Sequence, residues 1–213
     1  MVGLEIIYKN VIAGQAQEVE QGVQEALYRG VESGVILNES LIPAMGEVGK
    51  RFEKGEFFVP EMLVAARAMK VGLAILKPYL VDSGVESAGV VAIGTVQGDL
   101  HDIGKNLVAL MLEGAGFKVH DLGVDVSPEM FVSAANEGAQ VICLSALLTT
   151  TMPKMEQTIQ ALREANVFNK VSVIIGGAPV TESYAQQIGA DAFAPDASSA
   201  TRVVRQLIEL VGS

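Results

Sequence analysis

Tryptophan is absent, and aromatic residues make up only 5% of this 213-residue chain. Too few flat side chains remain to build the stacking platforms that hold single-stranded nucleic acid. Basic residues are scarce as well: 15 Lys and Arg stand against 25 Asp and Glu, a formal net charge of −10. A chain of that sign is a poor binder of phosphate backbones, so no nucleic-acid partner is expected. The single cysteine, Cys143, excludes an intrachain disulfide and suits a cytoplasmic protein. No apolar run reaches the ~18 residues of a membrane span. The opening MVGLEIIYKN has no basic region followed by a long apolar stretch. Neither a membrane partner nor a signal peptide is therefore expected.

What is present is apolar. Half the residues are hydrophobic, ample for a core, and the length fits one large domain or two small ones. The two halves have different patterns. Residues 1–83 read as a bundle of roughly four helices. Val19, Val23, Ala26, Leu27 and Val31 recur at helical spacing. Asn38 is expected to cap the helix ESLIPAMGEVGKRFEKG, and Pro60 to lie in the first turn of PEMLVAARAMKVGLAILKPYL. Residues 84–88 read as a linker, since Ser, Gly and acid residues there show no periodicity. Over residues 89–213, short β-branched runs alternate with helical segments: VVAIGTV, KVHDLGV, VICLSAL, VSVIIGG and a weaker fifth near DAFA. That alternation implies a flavodoxin-like (Rossmann-like) α/β domain with five parallel strands.

In such sheets, ligands bind beyond the carboxyl ends of the strands. After the first strand comes GDLHDIGKN, which holds Gly98, Asp99, His101, Asp102, Ile103 and Gly104. After the third come Ser145, Leu147, Thr149, Thr150 and Thr151; after the fourth, Gly176, Gly177 and Ala178. Each feature has a plain reading: a tight turn for the paired glycines, a helix cap for Ser145 or Thr151, a solvated side chain for His101. The sharper reading makes His101 a metal ligand whose second ring nitrogen is held by Asp99, with Thr151 hydrogen-bonded to that carboxylate. A site made only of protein groups would need two or three more ligands. His120 falls inside a strand and Cys143 in an apolar run, so neither supplies one. A macrocycle would.

Asp99-x-His101-x-x-Gly104, then Ser145-x-Leu147, then Gly176-Gly177 resembles the cobalamin-binding signature of methionine synthase and of corrinoid proteins in methyltransferase systems. The helical first half resembles the cap domain of the same proteins. The resemblance implies cobalamin bound with its own base displaced and His101 as the lower ligand of cobalt, in a relay with Asp99 and Thr151. The family often has serine where Thr151 stands. Ser145 and Leu147 would meet the displaced base; Gly104, Gly176 and Gly177 would leave room for the nucleotide tail. Gly98, Asp102, Ile103, Thr149 and Ala178 complete the implied cofactor-binding set. Phe52, Phe57, Phe58, Val59 and Met62 would protect the upper face, or else serve as ordinary bundle core, and residues 82–88 would act as a hinge.

The implied function is that of a methyl-carrier subunit. Its partners would be a substrate-specific methyltransferase, an acceptor-side methyltransferase acting on a folate such as tetrahydrofolate or on a thiol, and a corrinoid reductive activase. Methanol, methylamines and aryl methyl ethers are all donors in such systems. Two rivals remain. A cobalamin-dependent sensor shares both domains but usually adds a DNA-binding segment, and no basic helix-turn-helix is visible. A phosphorelay receiver needs an acidic residue at the end of the third strand, where Ser145 and Ala146 stand instead.

Overall fold

The computed structural model describes residues 2–82 and 87–211. Most of the linker expected at 84–88, and most of the hinge at 82–88, therefore lies outside the described residues. By contacts the chain divides into two compact units, Met1–Ser87 with Gly114–Gly116, and Ala88–Glu113 with Phe117–Ser213.

The first unit is helical: α1 (Val2–Ile12), α2 (Ala16–Tyr28), α3 (Ser33–Ile36), a π segment (Leu37–Leu41), α4 (Ile42–Glu53) and α5 (Val59–Asp82). From α3 through α4 the chain is helical without a break. The expected start at Asn38 is overturned, since Asn38 lies inside the π segment. Cap chemistry was a misleading guide there, because Ile36, Leu37 and Leu41 all need burial and draw the preceding turn into the helix. Pro43 has no N–H to give to the turn before it. Ser40, fully buried, donates its hydroxyl to the Ile36 carbonyl one turn back, at 2.5 Å. The start of α5 is held by Glu61, whose side chain accepts from the Phe58 N–H at 2.9 Å, with Pro60 in the first turn as expected. Ile7, Val19, Val23, Met45, Met62 and Met69 fill the core of this unit.

The second unit alternates strands and helices: β1 (Val90–Val96), α6 (Ile103–Gly114), β2 (Lys118–Val126), α7 (Pro128–Asn136), β3 (Val141–Ser145), α8 (Pro153–Glu164), β4 (Ser172–Gly176), α9 (Glu182–Ile188), β5 (Ala192–Ala194) and α10 (Ala197–Val211). Every strand pair is parallel, in the order β2-β1-β3-β4-β5. That is the flavodoxin-like order, with its switch point between β1 and β3. The central strands are buried on both faces, which explains why β1, β3 and β4 read as continuous apolar runs. DAFA supplies only the three residues of β5.

Local chemistry sets the helix starts. Pro128 and Pro153 occupy first-turn positions of α7 and α8, and Thr181 caps α9 by accepting from Tyr184 N–H. Register then aligns the site. Thr95 pairs with Ser145, Ser145 with Gly176, and Gly176 with Ala194, one row along the carboxyl edge of the sheet.

Candidate functional site

The loop from Gly98 to Asp102 leaves the sheet at the switch point. Gly98 sits at φ +83°, a conformation that glycine adopts freely. Asp99 follows with no exposed surface. A buried carboxylate must be saturated with donors, and this one is. Its Oδ1 accepts from His101 Nδ1 at 2.7 Å and from the His101 N–H at 3.1 Å. Its Oδ2 accepts from the Leu147 N–H at 2.8 Å and from the Thr151 hydroxyl at 2.7 Å. Burial by itself would raise the Asp99 carboxyl. The bonds from Thr151, Leu147 and His101 outweigh it and hold the group well below the usual carboxylate range.

An ionised carboxylate only accepts, so in the neutral imidazole His101 Nδ1 carries the proton and Nε2 presents a lone pair. The ring is half exposed, at 50%. Leu100, Ile103, Leu147 and Leu148, on the same two loops or at the start of α6, are all exposed and offer apolar surface. The arrangement is one imidazole nitrogen left free on a half-exposed ring whose other nitrogen Asp99 holds. Among the described residues no group of three or more His, Cys, Asp or Glu could hold a metal ion. Cys143 is buried in β3, and burial pushes its thiol up to about 12, so it supplies no thiolate. A metal here would need a group that brings most of its own coordination sphere.

The other expected site residues fall as follows. Asp102 accepts from the Asn106 side chain at 3.1 Å and braces the start of α6. Gly104 faces open space, with nothing within 4 Å of where a Cβ would be. Ser145 ends β3, half-buried, and Thr149 is exposed on the following loop. Gly177, at φ +134°, would bring a Cβ to 1.8 Å from the Ala146 carbonyl oxygen. A Cβ on Gly176 would meet the Ala194 carbonyl oxygen at 2.8 Å. Close backbone packing alone therefore demands both glycines. Ala178 beside them is exposed. In the helical unit, Phe58 and Val59 are exposed, Phe52 and Phe57 are half-buried, and Met62 is fully buried. Arg51 lies over the Phe57 ring, 5.3 Å from its centroid.

Two partners of this loop and a nearby ion pair escaped sequence reasoning. The buried Thr95 hydroxyl donates to the His101 carbonyl at 2.8 Å. Asp125 accepts from the Gly98 N–H at 2.7 Å. Lys105, almost wholly buried, binds both Asp121 oxygens at 2.6 Å. A lone hydroxyl near the end of an apolar strand was the available hint for Thr95, and unexplained acids in β2 for Asp125 and Asp121.

Residues 89–205 match the B12 binding domain family, and residues 4–77 match a second family, also described as a B12 binding domain. A corrinoid protein of Desulfitobacterium hafniense (strain Y51) is 39% identical over 209 residues, covering 96% of this chain and 97% of its own. Dimethylamine corrinoid protein 3 of Methanosarcina mazei is 46% identical over 166 residues, 77% of this chain and 99% of that one. Among solved structures, the methanol:cobalamin methyltransferase complex MtaBC from Methanosarcina barkeri matches with a TM-score of 0.86 at 28% identity, over 97% of this chain and 80% of that one. A cobalamin-binding protein from Desulfitobacterium hafniense DCB-2 matches with a TM-score of 0.81 at 29% identity, over 96% of this chain and 98% of that one.

Proposed function

The chain belongs to the B12-binding family and is a methyl-carrying corrinoid protein of a methyltransferase system, and from that premise we propose that His101 is its cobalt ligand and that its donor is a small methylated amine or alcohol. The observation that carries the ligand assignment is the 2.7 Å bond from His101 Nδ1 to a buried Asp99 carboxylate, which leaves Nε2 for the metal. Bound, the corrinoid supplies a cobalt centre that can take up and release a methyl group.

The chain's own residues do the rest. Asp99 fixes the tautomer and the orientation of the His101 ring. Thr151 holds the far oxygen of Asp99, so the carboxylate cannot turn away. Leu100, Ile103, Leu147 and Leu148 offer exposed apolar surface for the cofactor to cover, and open space beside Gly104 leaves room for the nucleotide tail. Ser145, at the end of β3, would meet the displaced base. Of the five upper-face candidates, Phe58 and Val59 have side-chain surface to offer, whereas Met62 serves the bundle core.

The partner is a substrate-specific methyltransferase. The dimethylamine and methanol names of the relatives support an amine or alcohol donor. Delivery goes through a second methyltransferase to an acceptor such as tetrahydrofolate, and a reductive activase restores the cofactor. The test is an absorption spectrum of protein reconstituted with hydroxocobalamin, beside His101→Ala. A retained corrinoid whose spectrum changes in H101A is expected. An identical spectrum would remove His101 from the role.

A further inference from the structure

We propose that Asp125 is a positioning residue for the lower-ligand site, one that locks the Gly98–Asp99 backbone so that the Asp99 carboxylate stays on His101. The proposal rests on the reading of His101 as cobalt ligand. Asp125 grips this segment at two points. Its Oδ1 accepts from the Gly98 N–H at 2.7 Å, and its own N–H donates to the Asp99 carbonyl at 3.0 Å. Between those two points lie the φ +83° bend at Gly98 and the Cα of Asp99. The Asp99 N–H bonds back to the Val96 carbonyl at 3.1 Å, closing a turn that the Asp125 bonds pin to β2.

The end of β2 is shaped for this contact. The β1–β2 register shifts twice, between Ile93 and Gly94 and again between Gly94 and Val96. Gly123 lies at φ +89° and Asp125 itself at φ +53°. Among the described residues, only Asp125 and Asn166 adopt positive φ without being glycine. Glycine would take that backbone more readily, so the conformation alone does not call for aspartate. What aspartate adds is the acceptor that meets Gly98. The Leu147 N–H and the Thr151 hydroxyl come to Asp99 from the β3–α8 loop and cannot follow if the Gly98–Asp99 peptide swings. The Asp125 side chain is thus one bond removed from the relay and touches neither the imidazole nor any metal.

Three variants separate this role from general stability. Asp125→Gly removes the acceptor and relieves the backbone. Asp125→Asn keeps an acceptor oxygen and a residue tolerant of positive φ. Asp125→Ala removes the acceptor without relief. Two readouts are made on each. The first, on apoprotein, is hydrogen exchange at the Gly98 and Leu147 N–H groups relative to Leu144 in the ladder. The second, on cobalt(II) holoprotein, is the nitrogen splitting in the electron paramagnetic resonance spectrum, which reports an axial imidazole.

In Asp125→Gly and Asp125→Ala, exchange at both amides is expected to quicken about tenfold relative to Leu144. The nitrogen-split fraction is expected to fall roughly tenfold, while Asp125→Asn stays near the native protein in both. Native exchange and full splitting in Asp125→Gly would overturn the proposal. So would equal loss in Asp125→Asn and Asp125→Ala, which would make the side chain's oxygen irrelevant. If the native holoprotein shows no splitting that His101→Ala abolishes, the ligand reading fails. The exchange readout then judges the clamp by itself, with quickened exchange supporting it and unchanged exchange refuting it.

Discussion

Thr151 donates its hydroxyl to Asp99 Oδ2 across 2.7 Å, from 52 positions along the chain and on the oxygen opposite the one that takes His101. Neighbouring strands β1 and β3 make that meeting possible, since the register sets Thr95 beside Ser145 and sends both loops off the same edge. The threonine therefore closes the carboxylate's donor set. Thr151→Val should cost about 2 kcal/mol of apoprotein stability, because a bond to a buried charge is lost. Thr151→Ser, which keeps the hydroxyl and drops a methyl, should cost less than about 1 kcal/mol. Urea unfolding of both variants measures the difference, and equal losses would assign the whole effect to packing.

Asp99 makes stability depend on acid in a definite direction. Its folded carboxyl lies below the ordinary value of 3.8, so the folded state favours the ionised form more than the unfolded chain does. The resulting stabilisation is complete above that ordinary value and is lost as the pH falls through the lower folded one. Unfolding free energies of the native protein and Asp99→Asn, followed from neutral pH down through pH 4 and below, should lie far apart at neutral pH and converge in acid. A constant gap would mean that the carboxylate's charge contributes nothing.

Lys105 and Asp121 form an unequal pair. The lysine side chain is 2% exposed and the aspartate 44%. Removing the aspartate strands a buried ammonium, with only the Asn106 side-chain oxygen left to it among the described residues, at 2.6 Å. Removing the lysine charge leaves a carboxylate that water can reach. Asp121→Ala should therefore destabilise by about 3 kcal/mol, and Lys105→Met by clearly less. Chemical denaturation of the two variants side by side tests the order, and the reverse order would show that Lys105 reaches solvent.

The strand–helix alternation was legible because parallel strands buried on both faces must be apolar runs, and VVAIGTV, VICLSAL and VSVIIGG are such runs. The Asp99–His101 contact was legible because its partners stand two positions apart in one loop. Thr151 could be anticipated once the strand order was guessed. Asp125 could not, since its place beside Gly98 depends on two register shifts that no pattern of apolar residues announces. Asn38 misled for the opposite reason: a good capping residue sat where the burial of Leu37 and Leu41 required the helix to continue.

Two glycines of the motif should separate under substitution. At Gly177, an added methyl would strike the Ala146 carbonyl at 1.8 Å, and φ +134° is closed to alanine. Gly177→Ala should lose more than about 3 kcal/mol or fail to fold, whatever ligand is present. At Gly104, in the first turn of α6, an added methyl meets nothing within 4 Å. Gly104→Ala should leave the apoprotein as stable as the native chain or more so, by about 0.5 kcal/mol, because alanine suits a helix better. If the open space beside Gly104 is the path of the nucleotide tail, the same variant should retain less corrinoid after gel filtration. Thermal unfolding of apoprotein and corrinoid content after reconstitution decide it together. A variant as stable as the native chain and equally loaded would place the tail elsewhere, and an unstable apoprotein would mean that Gly104 serves the fold.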